Sequence, residues 1–161
     1  MAEGYRIIGA EMSPYSVKVR SYFRYKGIPF RWIPRNAASQ PEFEKYAKMP
    51  IDHIERLHPE PSVHPGEPVT RFVSALIEEF GDEWGNKWMF HYRWAREIDQ
   101  RCSAGRIARM RTPLASEEEH AALAAQVRIR MVERVWYVGS NELTASQIEI
   151  GFQDALAALD D

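Results

Sequence analysis

The stretch YRIIGAEMSPYSVKVRSYFRYKGIPFRWIP, residues 5–34, contains two short apolar segments with a helical pattern between them. Residues Tyr5–Ala10 are apolar and compatible with a β-strand. Ser13 followed by Pro14 is typical of a helix start, because serine caps the first free N–H groups and proline lacks one of them. Gly27 marks the end of this helix.

A second strand and two further short helices are predicted after Gly27. Residues Pro29–Pro34 alternate large apolar and other side chains, which is a strand pattern. Two strands joined through a helix predict a parallel pair. Short helices are predicted over residues 40–48 and Ile51–Leu57. The next eleven residues, 58–68, contain four prolines, so we expect a linker without regular structure.

The rest of the chain is predicted to be helical. One apolar face runs to Phe80, a break follows around Trp84, and a long helix is predicted over Lys87–Arg111. Two capping-box patterns each predict the start of a later helix: Ser116-x-x-Glu119 and Thr144-x-x-Gln147. The helix that begins after Ser116 is predicted to reach about Val138.

The composition excludes several classes of protein. With 45% hydrophobic and 27% charged residues among 161, the chain can form a core and does not resemble a disordered protein. No run of 18 apolar residues is present, so we expect no membrane span. The net charge of -2 argues against a strongly basic nucleic-acid binder. Cys102 is the single cysteine, and the first residues do not follow a signal-peptide pattern, so we expect a cytoplasmic protein.

Charge is unevenly distributed along the sequence. Residues 1–35 carry seven basic and two acidic residues, whereas residues 112–161 carry nine acidic and three basic ones. Two interpretations are open: the two halves attract each other, or the basic half binds a small anion.

The start of the first helix is the best chemical feature of the sequence. Free N–H groups and the helix dipole favour a negative charge there. Ser13 and Ser16 supply hydroxyls, and Lys18 and Arg20 supply positive charge nearby. One interpretation is that Ser13 only caps the helix; the other is that this end holds a thiolate or a carboxylate.

The residues around Ser13 resemble a known superfamily. Ser-Pro-Tyr-Ser-Val-Lys-Val-Arg, residues 13–20, followed by Gly-Ile-Pro-Phe at 27–30, is similar to the N-terminal domain of serine-type glutathione S-transferases of the tau, omega and zeta classes. Residues 13–16 also resemble the Cys-Pro-Tyr-Cys of glutaredoxins with serine in both cysteine places. Disulfide exchange needs a thiolate, so it is excluded at this motif. The segment Ile51–Pro59 resembles the helix that closes the family's N-terminal domain.

The resemblance implies a fold class and a domain organisation. Residues 1–57 would form an incomplete α/β, thioredoxin-like domain that binds glutathione. Residues 58–68 would be a proline-rich linker. Residues 69–161 would form an all-α domain like the glutathione S-transferase C-terminal domain, in truncated form. We expect the β-hairpin of the N-terminal domain and the C-terminal end of the family to be missing from this sequence.

The resemblance also implies a site and partners. Ser13 would be catalytic, donating a hydrogen bond to the glutathione thiolate, which attacks an electrophilic small molecule. The implied glutathione-binding residues are Ser13, Tyr15, Ser16 and Pro50. Trp88 and Tyr92 are the predicted contacts of the electrophile; the alternative is that this aromatic stretch only packs in the core and between the domains. Glutathione serves as the co-substrate, a homodimer is expected, and no metal, nucleic acid or membrane partner is expected.

Two other functions remain open. One is a non-catalytic binding or scaffold protein with the glutathione S-transferase fold, and the absent hairpin favours it. The other is a nucleic-acid-associated helical protein, because four arginines lie close together at 101, 106, 109 and 111. The five histidines show no spacing typical of a metal site.

Overall fold

The computed structural model of the protein describes residues 4–45 and 50–160. Within these residues the chain is mostly helical and has one sheet of two strands. The chain divides into two compact units. The first extends to Arg71 and includes the segment Met110–Pro113. The second comprises Phe72–Arg109 and the chain from Leu114 onward. The predicted domain limits at residues 57 and 68 stay a prediction.

The sheet lies at the start of the first unit. Strand β1 (Tyr5–Gly9) pairs in parallel with β2 (Phe30–Pro34). Tyr5 lies opposite Phe30 at one end of the register, and Gly9 lies opposite Pro34 at the other. The predicted parallel pair is therefore confirmed.

Helix α1 (Pro14–Tyr25) connects the two strands, and both of its ends follow the sequence signals. Ser13 is the N-cap, with extended backbone and a side chain that accepts a hydrogen bond from Ser16 N. At the other end Gly27 has a φ of 63°, and the N–H of Ile28 donates to the Phe23 carbonyl at 3.0 Å. These two features form a Schellman-type stop.

Two short helices follow in the first unit. Helix α2 spans Gln40–Lys45, and residues 46–48, over which the helix is predicted to continue, lie outside the described residues. Helix α3 spans Ile51–Leu57, as predicted. The core of this unit joins β1, α1 and α3 through five buried side chains: Ile7, Tyr22, Phe23, Ile28 and Ile54.

A buried ion pair fastens α1 to α3. The Lys26 side chain is fully buried, and its Nζ donates to Glu55 at 2.8 Å and to the His58 carbonyl at 2.8 Å. The Tyr22 hydroxyl donates to the same carboxylate at 2.5 Å. Burial pushes the pKa of Glu55 upward, but hydrogen bonds from Lys26 and Tyr22 outweigh it and hold that pKa below its ordinary value. Burial, and then the bond to Glu55, raises the pKa of the Tyr22 phenol.

The second unit is built from helices. Helix α4 (Pro68–Phe80) begins in the first unit and continues into the second. The predicted break at Trp84 is a π-helical turn, Gly81–Gly85, which leads into the next helix. The remaining helices are α5 (Asn86–Trp94), α6 (Glu97–Arg111), α7 (Glu117–Val132) and α8 (Ala145–Asp160).

The prediction of one helix over Lys87–Arg111 is wrong. The chain bends after Trp94, and α6 begins at Glu97. The side-chain amide of Gln100 donates to the Trp94 carbonyl at 2.8 Å. A side chain from the next helix therefore satisfies a carbonyl at the end of α5, and no proline or glycine marks the break.

The two predicted capping boxes have different outcomes. At α7 the box is present: Ser116 Oγ accepts from Glu119 N at 3.2 Å, and Glu119 accepts from Ser116 N at 2.7 Å. The box predicted at Thr144 is wrong: its hydroxyl donates to the Gly139 carbonyl at 2.6 Å and accepts from Asn141 N at 3.1 Å. The Asn141 side chain accepts the Thr144 N–H instead.

Helix α7 also ends earlier than predicted. It stops at Val132, and a separate 3₁₀ turn, Val135–Val138, ends at Gly139 with a φ of 73°. Among the described helices, none combines the length and the apolar character that crossing a bilayer requires.

Candidate functional site

Ser13 is the N-cap residue of helix α1 and follows the end of strand β1 by four residues. Its backbone is extended, with φ -94° and ψ 118°, so its side chain can reach back over the first turn. Ser13 Oγ accepts the Ser16 N–H at 3.3 Å. A serine hydroxyl accepts through lone pairs and keeps its own proton to donate. The helix cap and a hydrogen bond from Ser13 to a bound anion are therefore compatible.

Ser16 closes the same turn from the other side. Its Oγ accepts from Ala10 N at 3.2 Å, which ties the first turn of α1 to the end of β1. Ser13 and Ser16 are thus brought together by two local hydrogen bonds. Tyr15 lies between them in sequence, and its side chain is 48% exposed. The structure gathers three of the four predicted glutathione-binding residues at one helix end.

Trp32 of β2 packs close beside this turn. An added Cβ on Gly9 would come within 3 Å of both the Trp32 ring and the Cβ of Ser16, so ring and serine lie on the same side of Gly9. The Arg20 guanidinium lies over the indole at 4.6 Å, and one of its terminal nitrogens donates to both carboxylate oxygens of Glu11 at 2.7 and 2.8 Å. Within the described residues, Trp32 Nε1 is a buried donor without a hydrogen-bond partner.

Pro50 begins helix α3 in the same unit. It is the N-cap residue, exposed, with φ -65° and ψ 152°. The peptide bond that precedes it involves Met49, which lies outside the described residues. In the described part of the chain the cis peptide bond is Glu60–Pro61. A role for Pro50 in glutathione binding therefore stays a prediction.

The predicted electrophile contacts lie in the second unit and touch a common partner. The Trp88 and Tyr92 rings of α5 pack edge to face on Phe152 of α8, with centroids 5.6 and 5.3 Å away. Trp88 also packs on Phe80 at 5.4 Å. All three rings on α5 and α8 are partly buried. The structure thus brings Trp88 and Tyr92 together in one aromatic cluster.

A polar cluster that the sequence analysis did not single out surrounds His91. The imidazole is 1% exposed, its Nδ1 lies 2.7 Å from Ser140 Oγ, and its Nε2 lies 3.2 Å from Glu149 Oε1. Arg96 donates to the same carboxylate oxygen. These four residues line a cavity of about 280 Å³ in the helical unit. Its apolar wall includes Trp94, whose ring is almost fully buried.

The one local sequence signal for this cluster is a histidine that stands between two aromatic residues of α5. His91 stands between Phe90 and Tyr92, and its partners are 49 and 58 residues away in sequence. No short motif joins them, so spacing arguments could not find them. Over residues 4–45 and 50–160, no cluster of His, Cys, Asp and Glu side chains could hold a metal ion. Cys102 is an exposed free thiol.

Comparisons of the chain with protein-family models, with curated proteins and with solved structures found no match.

Proposed function

We propose that the protein is a glutathione S-transferase-like enzyme that binds glutathione as its thiolate and conjugates it to an electrophilic small molecule. The observation that supports this proposal most is the hydrogen bonding of the Ser13 hydroxyl. Its hydroxyl caps α1 through a lone pair, at the end of a strand, and keeps a proton to donate to sulfur.

The proposed chemistry requires that bound glutathione lose its thiol proton more readily than free glutathione does. A hydrogen bond from Ser13 and the positive end of the twelve-residue helix α1 both stabilise negative charge on sulfur. Arg20, on the second turn, is paired with Glu11, so this proposal assigns it no contact with the sulfur. Ser13 itself is not the nucleophile: sulfur attacks the electrophile, and the leaving group departs with the bonding electrons.

The parallel β1–α1–β2 unit is the part of the fold that supports a thioredoxin-like domain. In this proposal Tyr15 and Ser16 contact glutathione beside Ser13, and Pro50 offers a further contact. Trp88 and Tyr92 are the proposed contacts of the electrophile, because aromatic faces favour flat, apolar molecules. A reducing compartment such as the cytoplasm suits both glutathione and the free thiol of Cys102.

We also propose that the protein forms a homodimer. Helix α4 exposes a row of large apolar side chains, among them Phe72 at 67% and Leu76 at 57%. A contiguous apolar face on a helix is a typical interaction surface. A second copy of the chain, meeting this face with its own α4, would cover the row.

The second candidate function is a non-catalytic binding or scaffold protein of the same fold. The two-stranded sheet of the described residues favours it, because so small a sheet offers few backbone groups to pair with a peptide-like ligand. The two functions differ in turnover: only the first requires conjugation of glutathione.

The test is conjugation of glutathione to chlorodinitrobenzene by the purified full chain. We expect saturable turnover, a kcat/KM about 100-fold lower in Ser13→Ala, and near-normal turnover in Ser13→Thr, which keeps both cap and donor. Ser103→Ala, a buried serine on α6, is the matched control and should behave as wild type. Equal activity in Ser13→Ala would contradict the proposal, and saturable glutathione binding without turnover would favour the non-catalytic function.

A further inference from the structure

His91 connects two side chains that approach it from distant parts of the sequence. Glu149 on α8 faces Nε2, and Ser140, which follows the left-handed residue Gly139, faces Nδ1. An ionised carboxylate can only accept hydrogen bonds, so the proton of the neutral imidazole belongs on Nε2. Nδ1 is then the acceptor, and the Ser140 hydroxyl donates to it across 2.7 Å.

A serine hydroxyl, a base and an orienting carboxylate are thus joined by two consecutive hydrogen bonds, Ser140–His91 and His91–Glu149. A base within hydrogen-bond reach of a hydroxyl, itself held by a third group, is the geometric signature of an activated serine. Arg96 donates to the same Glu149 oxygen that faces His91, which holds the carboxylate in place. In serine proteases Nε2 faces the serine and Nδ1 faces the carboxylate, whereas here Nδ1 faces Ser140 and Nε2 faces Glu149. The roles of the three groups are the same.

The cavity lined by His91, Ser140 and Glu149 is the space that a substrate would occupy. Its volume of about 280 Å³ is small, and its apolar wall includes Trp94, Val132 and Val135. Ser140 is 5% exposed and is one of the residues that line the cavity, as are His91 and Glu149. The cavity opens to solvent, and Gln100, Asn141 and Glu142 give it polar lining as well, so a small acyl group can occupy it.

We propose that this cavity is a second active site, which hydrolyses small esters of short carboxylic acids through Ser140. Ser140 Oγ forms a bond to the ester carbonyl carbon while its proton moves to His91 Nδ1. The bond from that carbon to the alcohol oxygen then breaks, and the alcohol leaves with the proton from Nδ1. Water, activated by His91 in the same way, attacks the acyl group, releases the carboxylic acid and restores Ser140.

Two features of the cavity lining favour a negative charge, although the carboxylates of Glu142 and Glu149 line the cavity too. The cavity includes Ala145, the first residue of the sixteen-residue helix α8, and the start of a helix favours negative charge. The half-exposed Arg96 guanidinium lines the same cavity. In this account Ser140 and His91 are catalytic residues, and Glu149 is a positioning residue that acts through His91.

The first measurement is made on the unmodified full chain, so it does not depend on a variant that folds. The protein is treated with a fluorophosphonate probe, which reacts with activated serines, and the adduct is located by peptide mass spectrometry. The proposal predicts one adduct per chain, on Ser140. No adduct, or an adduct on another serine such as Ser13, would overturn it.

The second measurement is hydrolysis of para-nitrophenyl acetate. We expect kcat/KM to fall about 100-fold or more in Ser140→Ala and in His91→Gln, and to be unchanged in the buried-serine control Ser103→Ala. Glu149→Gln should lower kcat with little change in KM, because it disturbs the orientation of His91 rather than ester binding. Turnover in Ser140→Ala equal to wild type would overturn the proposal. This result is independent of glutathione conjugation, which rests on Ser13.

Discussion

A Cβ atom on Gly9 would lie 2.5 Å from the Trp32 ring and 2.9 Å from the Cβ of Ser16. Gly9 is the last residue of β1, Trp32 lies on β2, and Ser16 lies in the first turn of α1. These three elements therefore approach one another only because residue 9 has no side chain. The turn that positions Ser13 depends on this close approach.

Gly9→Ala should destabilise the protein by about 1–3 kcal/mol, the usual cost of an overfilled site, because a rigid indole ring has to move. The matched control is Gly151→Ala in α8, where nothing lies within 4 Å of the added atom. That change should stabilise the protein by about 0.5–1 kcal/mol through helix propensity. Urea unfolding measures both. A Gly9→Ala protein as stable as wild type would contradict the close contact.

The buried pair of Lys26 and Glu55 should respond unequally to the loss of either partner. Glu55→Gln leaves a fully buried ammonium without its counter-ion and should cost about 3 kcal/mol. Lys26→Met leaves a carboxylate that is 13% exposed and still bonded to Tyr22, so it should cost about 1 kcal/mol. Chemical denaturation of the two variants measures the difference. The reverse order of the two losses would refute this assignment of burial.

The same pair predicts how stability depends on pH. The pKa of Glu55 is lowered in the folded protein, so its contribution is complete above the ordinary carboxyl value of 4.5 and is lost as pH falls through the folded value. Glu55→Gln should therefore have a flatter stability curve below that pH than wild type. Parallel curves for the two proteins would show that Glu55 titrates normally.

Ser116→Ala should cost about 1 kcal/mol, because it removes the acceptor of the Glu119 N–H at the start of α7. The matched control is Ser146→Ala on the exposed surface of α8, where we expect a change within about 0.5 kcal/mol. Thermal unfolding of both variants makes the comparison. Equal behaviour of the two serine variants would mean that the capping box contributes nothing.

Leu76→Glu should abolish the proposed homodimer without loss of stability in the monomer, since Leu76 is 57% exposed on α4. Leu114→Glu is the control, because Leu114 is 98% exposed and lies outside α4. Analytical ultracentrifugation measures the oligomeric state of the wild type and of both variants. A dimer that survives Leu76→Glu, or a monomeric wild type, would exclude this interface.

The parts of the fold that were predictable depend on signals a few residues apart. Ser13 with Pro14, Gly27, and Ser116 with Glu119 act through hydrogen bonds within one helical turn, so the sequence around them is sufficient. The sequence does not predict the break after Trp94, because the Trp94 carbonyl is satisfied by the side chain of Gln100, six residues away. The box at Thr144 failed because Asn141 competes for the same N–H group. In both places, a partner outside the motif decides the structure.

The same distinction separates the two candidate sites. Ser13 and Ser16 are three residues apart, and their contact with each other follows from the helix start alone. The cluster of His91, Ser140 and Glu149 forms only when α5 packs against α8 and the turn before it. That packing depends on the whole helical unit, so no short pattern in the sequence could reveal it.

The most direct test of the central claim is a glutathione titration followed by intrinsic tryptophan fluorescence, with Ser13→Asp as the variant. Aspartate keeps the helix cap, so stability should hold, but its carboxylate repels a thiolate and lacks the hydroxyl donor. Trp32→Phe identifies the signal that arises next to Ser16. We predict a saturable change in wild type that disappears in Ser13→Asp. No change up to millimolar glutathione, or an equal change in Ser13→Asp, would contradict binding of the thiolate at this helix end.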